Sequence, residues 1–367
     1  MTAQIVPVKV VQVLGTLDRG GVETIALRQC RDIPPEHVRQ VFVTLGTHEG
    51  MLAPEFRAAG AEVVRCPVRP KWTFPMRLWH LLRRIRPDVV ESHVSLTSGL
   101  VLAVASAARV KVRIARLRSE GDGRGDAPLR RLQRRLLREL MCNSATSVLG
   151  VTRAALTFAG PPPHDYRYQV VPNQVDVERF ASARRAVRDR CAGPVMTHIG
   201  RASPEKNRGF LLGVHTEARR LRPDVRLTVV GPGGIEDLAA VAPRVASDPS
   251  VRLLGPTDRV EEVLAATDVL LLPSHREGLP NVVLEALAAG VPVLAADLPG
   301  LRELSEQVHG LYLLSLRAGA AAWANTALTL AGTPESERDR ISEGIRRSPF
   351  ALSADDRWWR TVWTAHR

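Results

Sequence analysis

Residues 268–303 read DVLLLPSHREGLPNVVLEALAAGVPVLAADLPGLRE. The apolar run 269–272 has the composition of a short strand buried on both faces. Residues 273–280 interrupt it with Gly278 and two prolines. Pro280 stands where a helix would begin, a position whose N–H has no helical partner in any case. Val283, Leu284, Leu287 and Ala288 recur at helical spacing. Gly290 can close that helix, and Pro292 bars its continuation. A second buried strand is expected over residues 291–295. Strand, loop, helix and strand in this order form the repeating unit of a parallel α/β sheet, which binds ligands beyond the carboxyl ends of its strands.

Two carboxylates fall at that end. Glu277 is in the loop and Glu285 in the helix, with seven residues between them. At about 1.5 Å of rise per residue, Glu285 sits roughly 7–8 Å from the helix start. The N–H groups over residues 279–282 are directed to the same region, and such groups attract phosphate. Amides for phosphates flanked by carboxylates for hydroxyls would suit a nucleotide-sugar. An isolated pair of glutamates at this spacing reads as two solvated charges near a helix start.

The longer pattern separates the two readings. It resembles the donor-binding signature of retaining glycosyltransferases of the GT-B fold, family 4 (glycosyl transferases group 1). That signature has Glu-Gly-x-Pro, a second Glu eight residues after the first, then Ala-x-Gly-x-Pro-Val. Here it is EGLPNVVLEALAAGVPV, followed by Gly300 and Glu303. The resemblance implies an α/β, GT-B architecture: two Rossmann-like doubly wound domains facing across a cleft, with a C-terminal helix crossing back to the first. It also implies donor contacts from Glu277, Gly278, Leu279, Pro280, Asn281 and Glu285, with Glu277 on the donor sugar and Glu285 on the ribose.

A chain of 367 residues is long for one core, so two domains are expected. The divisions expected are 1–180 for an acceptor-side domain, 181–349 for a nucleotide-sugar domain, and 350–367 for the returning helix. Cys30, Cys66, Cys142 and Cys191 are scattered without a C-x-x-C pair, which points to a reducing compartment and away from zinc. The longest apolar run, 99–108, falls short of the roughly 20 residues of a membrane span. The N-terminus has neither a basic start nor a cleavage site, so no signal peptide is expected. The net charge of +13 rests on arginine, since the chain has only four lysines. It reads either as GC-rich coding or as affinity for an anionic partner, a membrane surface or a nucleic acid.

In the first half, an expected strand at 8–14 leads into Gly20-Gly21 and a helix over 22–30, the parts of a phosphate-approach turn without the G-x-G-x-x-G spacing. By resemblance, Gly20 and Gly21 line the interdomain cleft. Further strands are expected at 40–45, 62–66, 89–93, 113–117 and 146–152. Helices are expected at 52–59, 75–85, 96–108 and 129–141. His93 ends a strand, and the resemblance gives it a contact with the transferred sugar. Residues 129–140, LRRLQRRLLREL, gather leucines on one helical face and arginines on the other. Such a helix turns its leucines to the domain core, lies on an anionic membrane, or does both, with leucines inward and arginines toward lipid headgroups.

Residues 168–180, YQVVPNQVDVERF, resemble the family's VPNGVD crossing into the second domain, with Gln174 in place of Gly. Either the turn avoids positive φ or Gln174 is strained. The strand expected over 194–200 enters GRASPEKNRG, followed by a helix over 208–221. Arg201 and Lys206 over a strand-to-helix turn can clamp a diphosphate, the arginine through two oxygens and the lysine as a point charge. Similar enzymes use these positions on the donor phosphates. Trp358, Trp359, Val362 and Trp363 lie together on the expected last helix and fit packing against the first domain. No D-x-D triplet is present.

The expectation is a cytoplasmic enzyme, peripheral at most on the inner membrane face. It would transfer a hexosyl unit with retention from a nucleotide diphosphate sugar to a glycan or lipid-linked glycan acceptor, in polysaccharide biosynthesis. No cofactor, metal or nucleic acid is expected. Glu277, Arg201, Lys206 and His93 are expected at the reacting centre. The alternatives are a nucleotide-sugar epimerase of the same fold and a non-catalytic basic protein that binds membrane or nucleic acid.

Overall fold

A computed structural model describes residues 7–121, 125–162, 164–186, 193–352 and 362–363. The chain divides into two compact units, one formed by residues 1–171 with 355–367 and the other by residues 172–354.

The first unit is a parallel seven-stranded sheet in the order β3-β2-β1-β4-β5-β6-β7. Its strands are β1 (Val8–Leu14), β2 (Val38–Thr44), β3 (Glu62–Arg65), β4 (Val89–Ser92), β5 (Val112–Leu117), β6 (Ser147–Gly150) and β7 (Tyr168–Val170). The connecting helices are α1 (Gly21–Asp32), α2 (Ala53–Ala58), α3 (Phe74–Ile85), α4 (Ser98–Ala107), α5 (Pro128–Ser144) and α6 (Arg153–Ala159). Strand β1 is buried along most of its length, as a central strand with helices on both faces must be. The strand expected over 146–152 ends earlier than the apolar run suggests. Thr152 accepts a hydrogen bond from the Ala155 N–H (3.0 Å) and caps α6, a helix the periodicity did not mark.

The second unit is a parallel six-stranded sheet in the order β10-β9-β8-β11-β12-β13. Its elements in chain order are α7 (Val177–Ala186), β8 (Val195–Ile199), α8 (Arg208–Leu221), β9 (Arg226–Val230), α9 (Glu236–Ala239), β10 (Val251–Leu254), α10 (Val260–Ala265), β11 (Val269–Leu272), α11 (Asn281–Ala288), β12 (Val293–Ala296), α12 (Pro299–Ser305), β13 (Leu311–Leu314), α13 (Gly319–Ala331) and α14 (Glu335–Arg346). Its core gathers Met196, Leu227, Val269, Leu271 and Leu294 from the sheet with Leu211, Leu212, Trp323 and Ala327 from α8 and α13.

The boundary expected at 180/181 would cut through α7. That helix packs on α10, α11 and α14, so the unit begins at Pro172. The boundary expected at 349/350 also shifts, because Val175 exchanges backbone bonds with Phe350 and Leu352 and holds that stretch in the second unit. Of the expected last helix, Trp358 and Trp359 lie outside the described residues. Trp363 is buried in the first unit, where its indole N–H donates to Glu91 Oε2 at 2.7 Å. Gln174 does not have a positive φ, so the crossing segment turns without the strain a Gly would relieve.

Helix α5 is rotated relative to the expectation that its leucines face the core. Leu129, Leu132, Leu136 and Leu140 are exposed, and Met141 and Ser144 are its buried residues. The inward stripe includes the half-buried Arg134 and Arg138. Arg134 pairs with Asp126, and Arg138 lies over the Phe158 ring while donating to the Phe158 carbonyl. Gly99 of α4 explains the close approach: a Cβ there would overlap the Leu137 carbonyl. Backbone meets backbone at that point, and the long arginine stems fill the flanks.

Candidate functional site

Each sheet has one place where the strand order reverses, and the crevice there is where such folds bind ligands. In the second unit it lies between β8 and β11. The loop after β8 carries Gly200, Arg201 and Lys206, and the loop after β11 carries residues 273–280. Two stretches some seventy residues apart therefore meet. Lys206 Nζ donates to Glu277 Oε1 at 2.6 Å, and Ser274 Oγ donates to the same oxygen at 2.7 Å. Both side chains of the ion pair are largely removed from solvent, 17% exposed for Lys206 and 9% for Glu277. Both bonds are made to Glu277 Oε1.

The two loops are braced to each other by amides. Asn207 has φ 51°, in the left-handed region that asparagine tolerates, and its side chain donates to the Pro273 carbonyl (3.1 Å). The His275 N–H donates to the Glu205 carbonyl (2.8 Å). Asn173 donates to the Leu279 carbonyl (3.2 Å) and to Asn281 Oδ1 (2.8 Å), so the start of α11 is set from the crossing segment. Gly231 sits behind the β8 loop at φ +143°, and a Cβ there would overlap the Gly200 carbonyl. Arg208 secures the neighbouring turn through Asp237 Oδ2 (2.8 Å) and the Gly234 carbonyl (2.6 Å).

Helix α11 begins at Asn281, with Pro280 as its cap in extended backbone. Gly278, Leu279 and Pro280 are buried, and Glu285 is half-buried one turn into the helix. Arg201 is exposed at the mouth of the β8 loop. Its charge acts on Glu205. Burial raises that carboxyl, but hydrogen bonds from its own N–H and from Ser203, with the charges of Arg201 and Arg276, hold it below its usual range. His198 is fully buried under this loop. Its Nδ1 faces the Leu271 carbonyl at 2.9 Å, and burial lowers its pKa to about 4. The imidazole is neutral at pH 7.

The structure thus brings Lys206 onto Glu277 and sets Leu279 and Asn281 beside them through Asn173. Ser274, Asn173, Asn207 and His198 were not singled out from the sequence as site residues. Ser274 and Asn173 lie inside segments that carry the family resemblance. Nothing in local sequence marks His198, an alternating strand position that only the fold turns under the loop.

In the first unit the order reverses between β1 and β4. Gly20 and Gly21 follow β1, and His93 follows β4, with its N–H bonded to the Val13 carbonyl (2.9 Å). Gly20 precedes α1 in extended backbone, and a Cβ there would fall 2.5 Å from Glu23 Oε2. The Glu23 carboxylate therefore lies over the opening turn of α1, where it complements the helix dipole. His93 is buried beside Glu91, its Nε2 3.8 Å from Oε1. Arg116 binds that same oxygen at 2.7 Å. Burial pushes the His93 pKa down to about 3, the Arg118 and Arg116 charges adding to it while Glu91 opposes, so His93 is neutral.

Two family descriptions match the chain: Glycosyl transferase 4-like domain over residues 20–174 and Glycosyl transferases group 1 over residues 193–332. A Bacillus subtilis (strain 168) protein named as a glycosyltransferase, EpsF, is 28% identical over 361 residues, covering 92% of this chain and 91% of EpsF. The capsular polysaccharide biosynthesis glycosyltransferase CapH of Staphylococcus aureus is 21% identical, covering 82% of this chain and 84% of CapH. Among solved structures, Anabaena HepE in complex with UDP superposes with a TM-score of 0.75 at 17% identity, covering 94% of this chain and 96% of HepE. That last likeness establishes the GT-B fold.

Proposed function

Because the chain belongs to the glycosyl transferases group 1 family and is a glycosyltransferase, we propose that it moves a hexosyl unit from a nucleotide diphosphate sugar to a hydroxyl of a lipid-linked glycan. We place it at the cytoplasmic face of a membrane, in the assembly of a surface polysaccharide. The observation that carries the reading is the Lys206–Glu277 pair at the switch point of the second sheet. In this reading the pair sets a cation for phosphate oxygens beside a carboxylate for a sugar hydroxyl.

In the proposed reaction the bond from the anomeric carbon to the diphosphate breaks and its electron pair leaves with the phosphate. The acceptor oxygen bonds to the same face of the anomeric carbon, and its proton passes to the departing phosphate. Lys206, Arg201 and the opening N–H groups of α11 stabilise the charge that develops there, with no metal ion required. Glu277 accepts hydrogen bonds from donor-sugar hydroxyls and Glu285 from the ribose. By the resemblance to the family, His93 takes a hydroxyl of the transferred sugar. A neutral imidazole can both donate and accept in that role. Leu279 and Asn281, braced by Asn173, complete the set in the second unit.

CapH carries a role in capsular polysaccharide in its name, and HepE is seen with UDP, which makes uridine diphosphate sugars the first donors to try. The test incubates the purified chain with a panel of these donors and lipid-linked acceptors and reads the product's anomeric configuration by NMR. Product with the donor's configuration supports the reading. Inversion refutes retention, and epimerised donor formed without acceptor refutes transfer.

A further inference from the structure

We propose that the face of the first unit formed by α3 and α5 is a docking surface for anionic phospholipid. Strands β4, β5 and β6 lie in sequence along the sheet. The connections into them, through α3, α4 and α5, all move in one direction. Right-handed crossovers therefore place these three helices on one side of the sheet, and α1 and α2, which connect the other way, on the opposite side. α4 packs on both α3 and α5, and six of its ten residues are buried. The outer surface is left to its two neighbours.

Both neighbours present apolar side chains to solvent inside a field of positive charge. On α5, the row Leu129, Leu132, Leu136 and Leu140 is exposed by 36% to 79%. Arg131 and Arg135 are exposed beside it. The helix holds five arginines against one carboxylate, Glu139. On the α3 side, Trp72 is 84% exposed and Met76, one helical turn on, is 60% exposed. The stretch 69–86 contains six cations and no carboxylate. Exposed leucines on a helix interior are otherwise a cost to solubility, and here they coincide with a bulky interfacial aromatic and a predominantly positive charge.

Of the occupants that would cover leucines, an anionic lipid surface satisfies both features. The acyl–headgroup boundary takes Leu129, Leu132, Leu136 and Trp72, and the phosphates take the arginines. A second copy of the chain would set the same positive face against itself. A nucleic acid would have no use for the leucines. The assignment rests on the lipid-linked acceptor reading above and names the surface by which the chain reaches such an acceptor.

The test is co-sedimentation of the full chain with vesicles of phosphatidylcholine alone and of phosphatidylcholine mixed with phosphatidylglycerol. Binding is expected to the mixed vesicles only, and to weaken with salt. Each arginine near the surface is worth about fivefold, so Arg131→Glu with Arg135→Glu should reduce partitioning by about 25-fold or more. Leu132→Ser with Leu136→Ser should reduce it about tenfold at unchanged charge. Equal binding to both vesicle types, or serine variants that bind like the parent, would overturn the proposal. Leucine-dependent dimers in the absence of lipid would assign the face to a second copy instead and overturn it equally. Turnover on a water-soluble acceptor analogue separates this outcome from failure of the transferase reading, since that activity is expected to be unchanged in the variants.

Discussion

Removing the Lys206 ammonium tests the site most directly. In the structure it makes a 2.6 Å bond to Glu277 in a largely dry pocket. Lys206→Ala withdraws a charge-assisted hydrogen bond of about 1.5–3 kcal/mol from whichever anion it holds. In the proposed reaction that anion is the leaving diphosphate, whose charge grows toward the transition state. The same energy should then appear as a loss of roughly tenfold to somewhat over a hundredfold in kcat/KM. Glu277 loses its cation in the same variant and keeps only Ser274. The unfolding free energy should therefore also drop, by about 1–3 kcal/mol. Kinetics need to be measured on protein shown to be folded at the assay temperature. A cycle with Glu277→Gln distinguishes the two consequences. If Lys206 acts on phosphate as well as on Glu277, the double variant regains stability relative to the sum of the singles but not activity. Folded Lys206→Ala with undiminished kcat/KM would refute the argument, because nothing then links this cation to the leaving group.

Three further outcomes are expected. Glu285→Ala should weaken calorimetric binding of bare uridine diphosphate, while Glu277→Ala should leave it nearly intact and depress turnover with the full donor; equal losses would mean the two roles are misassigned. Transfer should persist in EDTA, and abolition with rescue by magnesium or manganese would transfer the leaving-group role to a metal. The third concerns acid stability. His93 and His198 have folded pKa values of about 3 and about 4, below the roughly 6.5 of an unfolded histidine. Below pH 6.5 the unfolded chain takes up protons that the folded one refuses, so stability is complete above that pH and declines as pH falls toward 4. Each histidine should cost about 2 kcal/mol between pH 6.5 and 5. Denaturant unfolding of the parent and of His198→Asn at both pH values checks this, and a slope identical in the two proteins would contradict it.

The repeating strand–helix alternation was legible throughout because a parallel sheet needs continuous apolar runs and its crossovers need helical periodicity. β1 and α8 appear where those signals predict. The stretch around Glu277 was legible for a related reason: an uninterrupted local segment must make the turn, open the helix and present both carboxylates. Three matters were decided only by the tertiary structure. One is the Lys206–Glu277 bond, which follows from strand order; β8 and β11 are neighbours, and no local pattern states that. Another is the face of α5. The leucine and arginine stripes were plain in the sequence, yet the Gly99 close approach and the partners Asp126 and Phe158 draw Arg134 and Arg138 inward and leave Leu129, Leu132, Leu136 and Leu140 outside. The last is the state of His93. A histidine after a strand is an ordinary sequence feature; its neutrality comes from burial, with the Arg118 and Arg116 charges adding to it against the opposing Glu91 carboxylate that Trp363 reaches from the far end of the chain. Local chemistry and periodicity are properties of neighbouring residues, so sequence carries them. Which stripe packs, which charges meet and which side chains lose their water depend on segments distant along the chain, and only the fold assembles those.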